Sequence, residues 1–213
     1  MLKIWGRMSS INVKKVVWAV QELGLVFERL EAGGQFGLVK TPEYMRMNPN
    51  SLVPVIDDDG FVLWESNVIT RYLCAKHSTG NLYPTGLQER FNAERWMDWQ
   101  QTTVNPAGRD AFIQLIRTPL DQRNQQLIDQ SVIAMQPKLA MLEAHFSTSL
   151  YAVGNTFTMA DIPLALEIQR WWGLPFDAAR NASPRDACPH VHRWYTAILA
   201  RPASRGVLDL ALA

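Results

Sequence analysis

Cysteine is nearly absent: among 213 residues only Cys74 and Cys188 carry a thiol, and neither stands in a CxxC or a His/Cys spacing suited to zinc. A disulfide framework and a metal site are therefore not expected, and the cysteine usage fits a reducing compartment. Charge of one sign is also missing. With 21 Lys and Arg against 20 Asp and Glu, the net charge of +1 offers no field that would gather nucleic acid or an anionic membrane. No run of about 18 apolar residues is present, and the short apolar stretch after Lys3 is no signal-peptide core. Repeats and low-complexity segments are lacking too. What is there is an ordinary globular composition, 47% hydrophobic and 19% charged, long enough for one large or two small domains. The expectation is a soluble, cytosolic protein whose partners are small molecules or proteins.

Residues 2–5 (LKIW) predict a strand, and Val13, Val16, Val17, Val20 and Leu23 recur at helical spacing, with Gly24 placed to stop the helix. A second strand fits LVFERLEA (25–32); GGQFG then breaks regular structure, and PEYMRMN makes a short helical piece at most. The runs VPVI (53–56) and FVLW (61–64), joined by DDDG, predict a hairpin, because Asp-Gly tolerates the positive φ of a tight turn. Val68, Ile69, Tyr72 and Leu73 give a further helical stripe, for which Ser66 is the expected N-cap. Residues 1 to about 77 thus spell βαβ, then ββα. HSTGNLYPTG (77–86) has the composition of a linker, and beyond it segments of about 87–117, 122–147, 158–173 and 188–201 predict helices.

Three places combine a chain reversal with polar groups. In GRMSSINVKK (6–15), a helix starting near Asn12 would aim unpaired N–H groups at whatever lies beside Ser10, which favours an anion; simple capping by Ser10 or Asn12 is the plain alternative. Lys14 and Lys15 are read as a background positive field in the first turn. In LVPV (52–55), Pro54 opens a short strand, and if the Val53-Pro54 bond is cis the Val53 main chain can pair with an extended ligand. Most X-Pro bonds are trans, so an edge-strand proline is the competing account. At Glu65-Ser66, a carboxylate stands beside helix N–H groups. This offers one pole for an ammonium and one for a carboxylate, as an amino-acid head group needs, and capping again competes.

Other residues point to folding. His190 and His192 have no Cys or acidic partner at ligand spacing, Cys74 lies in a helical stripe, and Trp96, Trp99, Trp171 and Trp172 are read as core and interface residues. TMAD (158–161) is a Thr-x-x-Asp capping box heading the stripe Ile162, Leu166 and Ile168.

In this order and spacing, GRMSSINVKK (6–15), ELGLVFE (22–28), GGQFG (33–37), NPNSLVPVIDDDGFVLWES (48–66) with IxRYL following, TMADI (158–162) and RP (201–202) resemble the cytosolic glutathione transferases over nearly the whole chain. The resemblance implies an α/β plus all-α fold: a thioredoxin-like βαβ-ββα domain over 1–80 that binds glutathione, and an all-helical domain over 87–213. It also implies a homodimer, glutathione as co-substrate, no metal, and a hydrophobic electrophile or disulfide as acceptor. Detoxification in the cytoplasm is the corresponding role.

Carried over by position, the resemblance puts Glu65 and Ser66 on the γ-glutamyl end of glutathione, Val53 ahead of a cis Pro54 on the cysteinyl backbone, Gln35 in contact with glutathione as in related bacterial enzymes, and Lys40 towards the glycyl carboxylate. Ser10 and Asn12 take the place where the family stabilises the thiolate, and Ser9 replaces Ser10 if the turn is offset by one residue. Trp5 and Gly6 stand where one subclass has its tyrosine, and a cysteine-using subclass is likewise unlike this chain. Leu52 replaces the lysine or glutamine frequent before the Val-Pro pair, which removes one contact to the glycyl end. Ile11 departs from the maleylacetoacetate isomerase motif, so the closest pattern is the theta-like and bacterial type with Ser or Thr, one residue, then Asn. Glutathione transfer is the expected activity. Glutathione-dependent disulfide reduction and a catalytically silent binding module are the alternatives.

Overall fold

The structure is a computed structural model, and residues 1–176 and 187–213 are described below; the expected helical domain over 87–213 therefore includes ten positions, 177–186, outside the described residues. Four short strands, β1 (Leu2–Trp5), β2 (Phe27–Leu30), β3 (Val55–Asp58) and β4 (Phe61–Trp64), form one sheet in the order β2-β1-β3-β4. β1 runs parallel to β2 with Leu2 opposite Phe27, and antiparallel to β3 with Trp5 opposite Val55. A parallel pair needs a crossover, which α1 (Ile11–Glu22) supplies. Gly24, at φ 64°, ends it as the sequence predicted. The β3–β4 hairpin turns at Asp59 and Gly60, both at positive φ, and Asp57 Oδ1 accepts the Gly60 N–H at 2.6 Å.

Side-chain alternation sends Leu2, Ile4 and Ile56 to one face of the sheet and Trp5 and Val55 to the other. The first face is covered by α1 and α3 (Ser66–His77), which pack on each other. The second carries a smaller cluster, Ala32, Tyr44 and Val55, under α2 (Pro42–Met47). Helix α3 begins one residue earlier than a Ser66 cap requires. Glu65, at φ 73°, is the cap residue, and Ser66 is the first helical position.

Residues 78–86 hold neither helix nor strand, and helix follows from Leu87 to Arg117 without a break. That run is not uniform: α4 (Leu87–Trp99) and α5 (Asn105–Phe112) are each followed by a π-helical segment, Gln100–Val104 and Ile113–Arg117. Helices α6 (Gln125–Phe146), α7 (Asp161–Trp172) and α8 (Pro189–Leu199) complete the helical half. The two halves share one core. Helix α1 packs on α7, Trp18 meets Phe157 at 6.0 Å between ring centroids, and Arg201 binds Glu22 through Nε at 2.7 Å and Nη2 at 2.6 Å.

The TMAD box forms as its spacing predicts: Asp161 Oδ2 accepts the Thr158 N–H at 2.9 Å, and Thr158 Oγ1 accepts from Ala160 N at 3.4 Å. Asp161 also takes N–H groups from Ala152 at 2.8 Å and from the Trp194 indole at 2.9 Å. Burial nonetheless pushes its carboxyl up to about 6, although the hydrogen bonds oppose that shift. No helix among the described residues is long and apolar enough to cross a membrane.

Candidate functional site

The chain leaves β1 through Gly6 and reaches α1 by way of Arg7, Met8, Ser9 and Ser10. Ser10 is the N-cap residue in extended conformation, φ −89° and ψ 120°, and its carbonyl accepts the Lys14 N–H at 3.0 Å. Its hydroxyl makes no capping hydrogen bond. Capping therefore does not account for the Ser10 side chain, and the first turn of α1 contains no acidic residue to answer its N–H groups. Asn12 is occupied differently: its Oδ1 accepts from Ser66 Oγ at 3.2 Å, which ties the start of α1 to the start of α3.

Ser9, Ser10, Ile11 and Asn12 line a cavity of about 220 Å³ whose far wall is α5 and the π-helical segment after it. From that wall come Asn105, Arg109, Phe112, Ile113 and Arg117, and α7 adds Leu166, Gln169 and Arg170. The resemblance implies an acceptor held near the second half of the helix at 87–117, but sequence reasoning named none of these residues, because nothing local marks positions a hundred residues downstream as neighbours of Ser10. Arg7 was missed as well. Its main-chain N–H donates to Ala32 O at 3.1 Å, and its guanidinium lies over the Gly33-Gly34 turn so closely that a Cβ on Gly33 would stand 2.8 Å from Nη1.

The remaining sequence-predicted residues do not line that cavity. Glu65 is exposed and its carboxylate has no hydrogen-bond partner among the described residues, whereas Ser66 is buried. The Val53-Pro54 bond is cis, and the Val53 N–H and C=O have no partner among the described residues. The Leu52 side chain is 63% exposed, and its carbonyl is already taken by Tyr44 Oη at 2.8 Å and Asn48 Nδ2 at 2.9 Å. Gln35 and Lys40 are exposed on the turns between β2 and α2.

The lysines are not a surface field. Lys14 and Lys15 are both buried, because α1 is enclosed by the sheet, α3 and α7. Lys14 Nζ reaches Gln169 Oε1 at 3.4 Å; burial lowers its pKa, and nearby Asp209 opposes that. Lys15 Nζ donates to Gln100 Oε1 and Gln101 Oε1, each at 3.0 Å. Burial pushes it down to about 7, with Glu167 and Glu65 raising it and Arg170 and Arg71 lowering it further. Gln100 is the hub beneath the site. It also faces Asn67 Nδ2 at 3.4 Å and donates to Glu167 Oε1 at 2.7 Å, while Arg170 binds the other Glu167 oxygen at 2.5 Å.

A pocket with an unanswered helix N-terminus, a hydroxyl and a cluster of cations is suited to holding an anion against an apolar wall. Comparison with known proteins gives that geometry its context. The glutathione S-transferase N-terminal domain model matches residues 1–75, and the C-terminal domain model matches residues 96–202. Glutathione S-transferase GstB of Escherichia coli strain K12 is 37% identical over 210 residues, covering 98% of each chain. Glutathione S-transferase 3 of Zea mays is 31% identical over 210 residues, 95% of this chain and 90% of its own. The crystal structure of the theta class glutathione S-transferase of Xanthomonas axonopodis pv. citri with glutathione bound superposes with a TM-score of 0.92. It is 37% identical, over 100% of this chain and 99% of that one. Matched in both halves and along its whole length, the chain belongs to the glutathione S-transferase family.

Proposed function

We propose that this glutathione S-transferase holds glutathione with its sulfur at the N-terminus of α1 and directs the thiolate at an electrophile in the adjoining cavity. The observation that carries the reading is the Ser10 hydroxyl, unused by the helix it caps and placed on the cavity wall with Ser9 and Asn12. A thiol near pKa 8.5 is only a few per cent ionised at pH 7, and lowering it by about two units takes about 2.7 kcal/mol. A hydrogen bond from Ser10, the amide of Asn12 and the helix N-terminus are sufficient, since charge-assisted bonds contribute about 1.5–3 kcal/mol each. No general base is required.

The rest of the tripeptide extends away from that point. Glu65, whose carboxylate has no partner, receives the γ-glutamyl ammonium; the Ser66 N–H at the head of α3 receives its carboxylate. The unpaired Val53 main chain, ahead of Pro54, pairs with the cysteinyl backbone in strand fashion. Gln35 and Lys40 serve the glycyl carboxylate, and Leu52 supplies no polar contact. We place the domain limits at 1–80 and 87–213. Cytoplasmic detoxification is the corresponding role. A homodimer is supported by the exposed apolar side chains Phe61, Val62, Trp64, Val68, Leu87 and Phe91 on β4, α3 and α4.

Titration of the ultraviolet thiolate absorbance of bound glutathione tests the sulfur site. Ser10→Ala and Asn12→Ala should each raise the thiol pKa by about one unit, the worth of one such bond. Unchanged values in both would remove these residues from the role, and a shift confined to Ser9→Ala would move the contact to Ser9.

A further inference from the structure

The cavity gathers positive charge from both of its walls. Arg7, Lys14, Arg109, Arg117 and Arg170 all line it, and no carboxylate side chain among the described residues does. Arg170 is answered by Glu167 at 2.5 Å and Asn105 Oδ1 at 2.8 Å. The Arg7 and Arg109 guanidinium groups have no hydrogen-bond or ion-pair partner among the described residues, and that of Arg117 donates only to Ala213 O, at 3.2 Å. These cations crowd one another: burial first, then the charges of Arg7 and Arg170, lower the pKa of Arg117. Glu167 answers Arg170 and Asp209 lies near Lys14, but no acidic side chain among the described residues pairs with Arg7, Arg109 or Arg117; like charges gathered around a concave apolar surface repel one another, and an anionic ligand relieves that repulsion. Apolar surface lies between them, since Phe112 sits 4.8 Å beneath the Arg117 guanidinium and 5.3 Å from that of Arg170, with Ile113 and Leu166 alongside.

We propose that the acceptor is an electrophile carrying an anionic group, a carboxylate or a sulfonate, held by Arg109 and Arg117 while its apolar body rests on Phe112 and Ile113. This rests on the glutathione transferase reading above, and the glutathione carboxylates, assigned there to Ser66, Gln35 and Lys40, leave these arginines unclaimed. For an aryl halide the step is a displacement. The glutathione sulfur forms a bond to the ring carbon that bears chlorine, the C–Cl bond breaks with its electron pair leaving on chloride, and the thiol proton passes to solvent.

A matched pair of acceptors separates charge from shape: 4-chloro-3,5-dinitrobenzoate and its amide, 4-chloro-3,5-dinitrobenzamide. With the full chain and saturating glutathione, kcat/KM for each is divided by its uncatalysed rate constant, and the benzoate-to-amide ratio is followed. The wild type should favour the benzoate, added salt should erode the preference, and Arg109→Gln or Arg117→Gln should lower the ratio about tenfold each. Arg109→Lys should restore part of the ratio. Preference for the amide, or a ratio unchanged in both Gln variants, overturns the proposal. So does a raised KM for glutathione in Arg109→Gln with equal losses on both acceptors, which would assign the arginine to glutathione. Absence of turnover with both acceptors while glutathione still binds in a calorimeter also overturns it. Absence of glutathione binding defeats the transferase reading itself.

Discussion

Replacing Lys15 with Met should change how stability depends on pH, and the structure gives the size of the change. Lys15 is fully buried, and its pKa drops from 10.5 to about 7. At about 1.36 kcal/mol per unit, charging it inside the fold costs about 5 kcal/mol relative to the unfolded chain. Between the two values the unfolded chain binds more protons than the native one, so this group makes stability rise with pH across the window and leaves it flat below it. From pH 7 to pH 9 the wild type should gain roughly 2 kcal/mol over Lys15→Met. Met fills a similar volume, and the loss of two hydrogen bonds, to Gln100 and Gln101, costs the variant about the same at every pH. The groups facing Lys15 are Gln100, Gln101, Glu167, Arg170, Glu65 and Arg71. None is altered by the substitution, so the difference between the two curves isolates the lysine. Urea unfolding of both proteins at one concentration, in steps from pH 6 to pH 9.5, reads that difference. A difference that stays flat above pH 7 would mean that Lys15 is charged throughout and that burial does not set its protonation.

Asp161→Asn should destabilise the fold by about 2–4 kcal/mol in denaturant titrations, because one amide oxygen cannot accept from Ala152, Thr158 and Trp194 together. Its carboxyl, pushed from 3.8 up to about 6, binds more protons in the native state across that window, so its contribution falls as pH rises through it. The Asn variant should lack that descending segment, and a descent of the same size in both proteins would assign it to other groups. Glu65→Gln should raise the KM for glutathione by about tenfold while leaving the thiol pKa of the bound tripeptide where it was, since Glu65 serves the ammonium end. A shifted thiol pKa would contradict that division of labour. Gly33→Ala combines φ 78° with a Cβ 2.8 Å from Arg7 Nη1 and 3.2 Å from Val53, and thermal unfolding should show a loss of about 1–3 kcal/mol. A neutral result would mean that the turn yields without cost.

The elements were largely legible in the sequence because each has a local cause. The valine stripe of α1, the Asp-Gly turn of the hairpin and the Leu- and Ala-rich periodicity of the second half all act within a few residues, and helix runs unbroken from 87 to 117 as that periodicity predicts. Small displacements follow from end effects: β2 keeps only Phe27–Leu30 of the eight residues that fit a strand, and Glu65 takes the cap position expected for Ser66. The lysines were misread for a different reason. A helix with polar residues in its first turn reads as a surface helix, but every residue from Val13 to Val20 is buried. Lys14 and Lys15 stand in the run VKKVVWAV, which is apolar on both sides. That flanking pattern is the local sign of a helix enclosed all round.

Half of the cavity could not be read locally at all, and the reason lies in helix geometry as much as in sequence distance. Arg109 and Arg117 are eight residues apart, and in a regular α-helix, at 100° per residue, such positions differ by about 80° around the axis. One would face the cavity while the other turned aside. The segment Ile113–Arg117 is π-helical, closing i→i+5 bonds at about 80° per residue. The four steps through it, each about 20° shorter, take up about the whole 80° and bring positions 109 and 117 onto one face. The earlier π segment, Gln100–Val104, begins at the glutamine that Lys15, Asn67 and Glu167 share under the heads of α1 and α3. Neither segment has a composition that would distinguish QQTTV or IQLIR from ordinary helix. The convergence of Arg109 and Arg117 on one cavity, with Arg117 and Arg170 over Phe112, is therefore a property of the assembled fold, set by how α5 stands against α1 and α7.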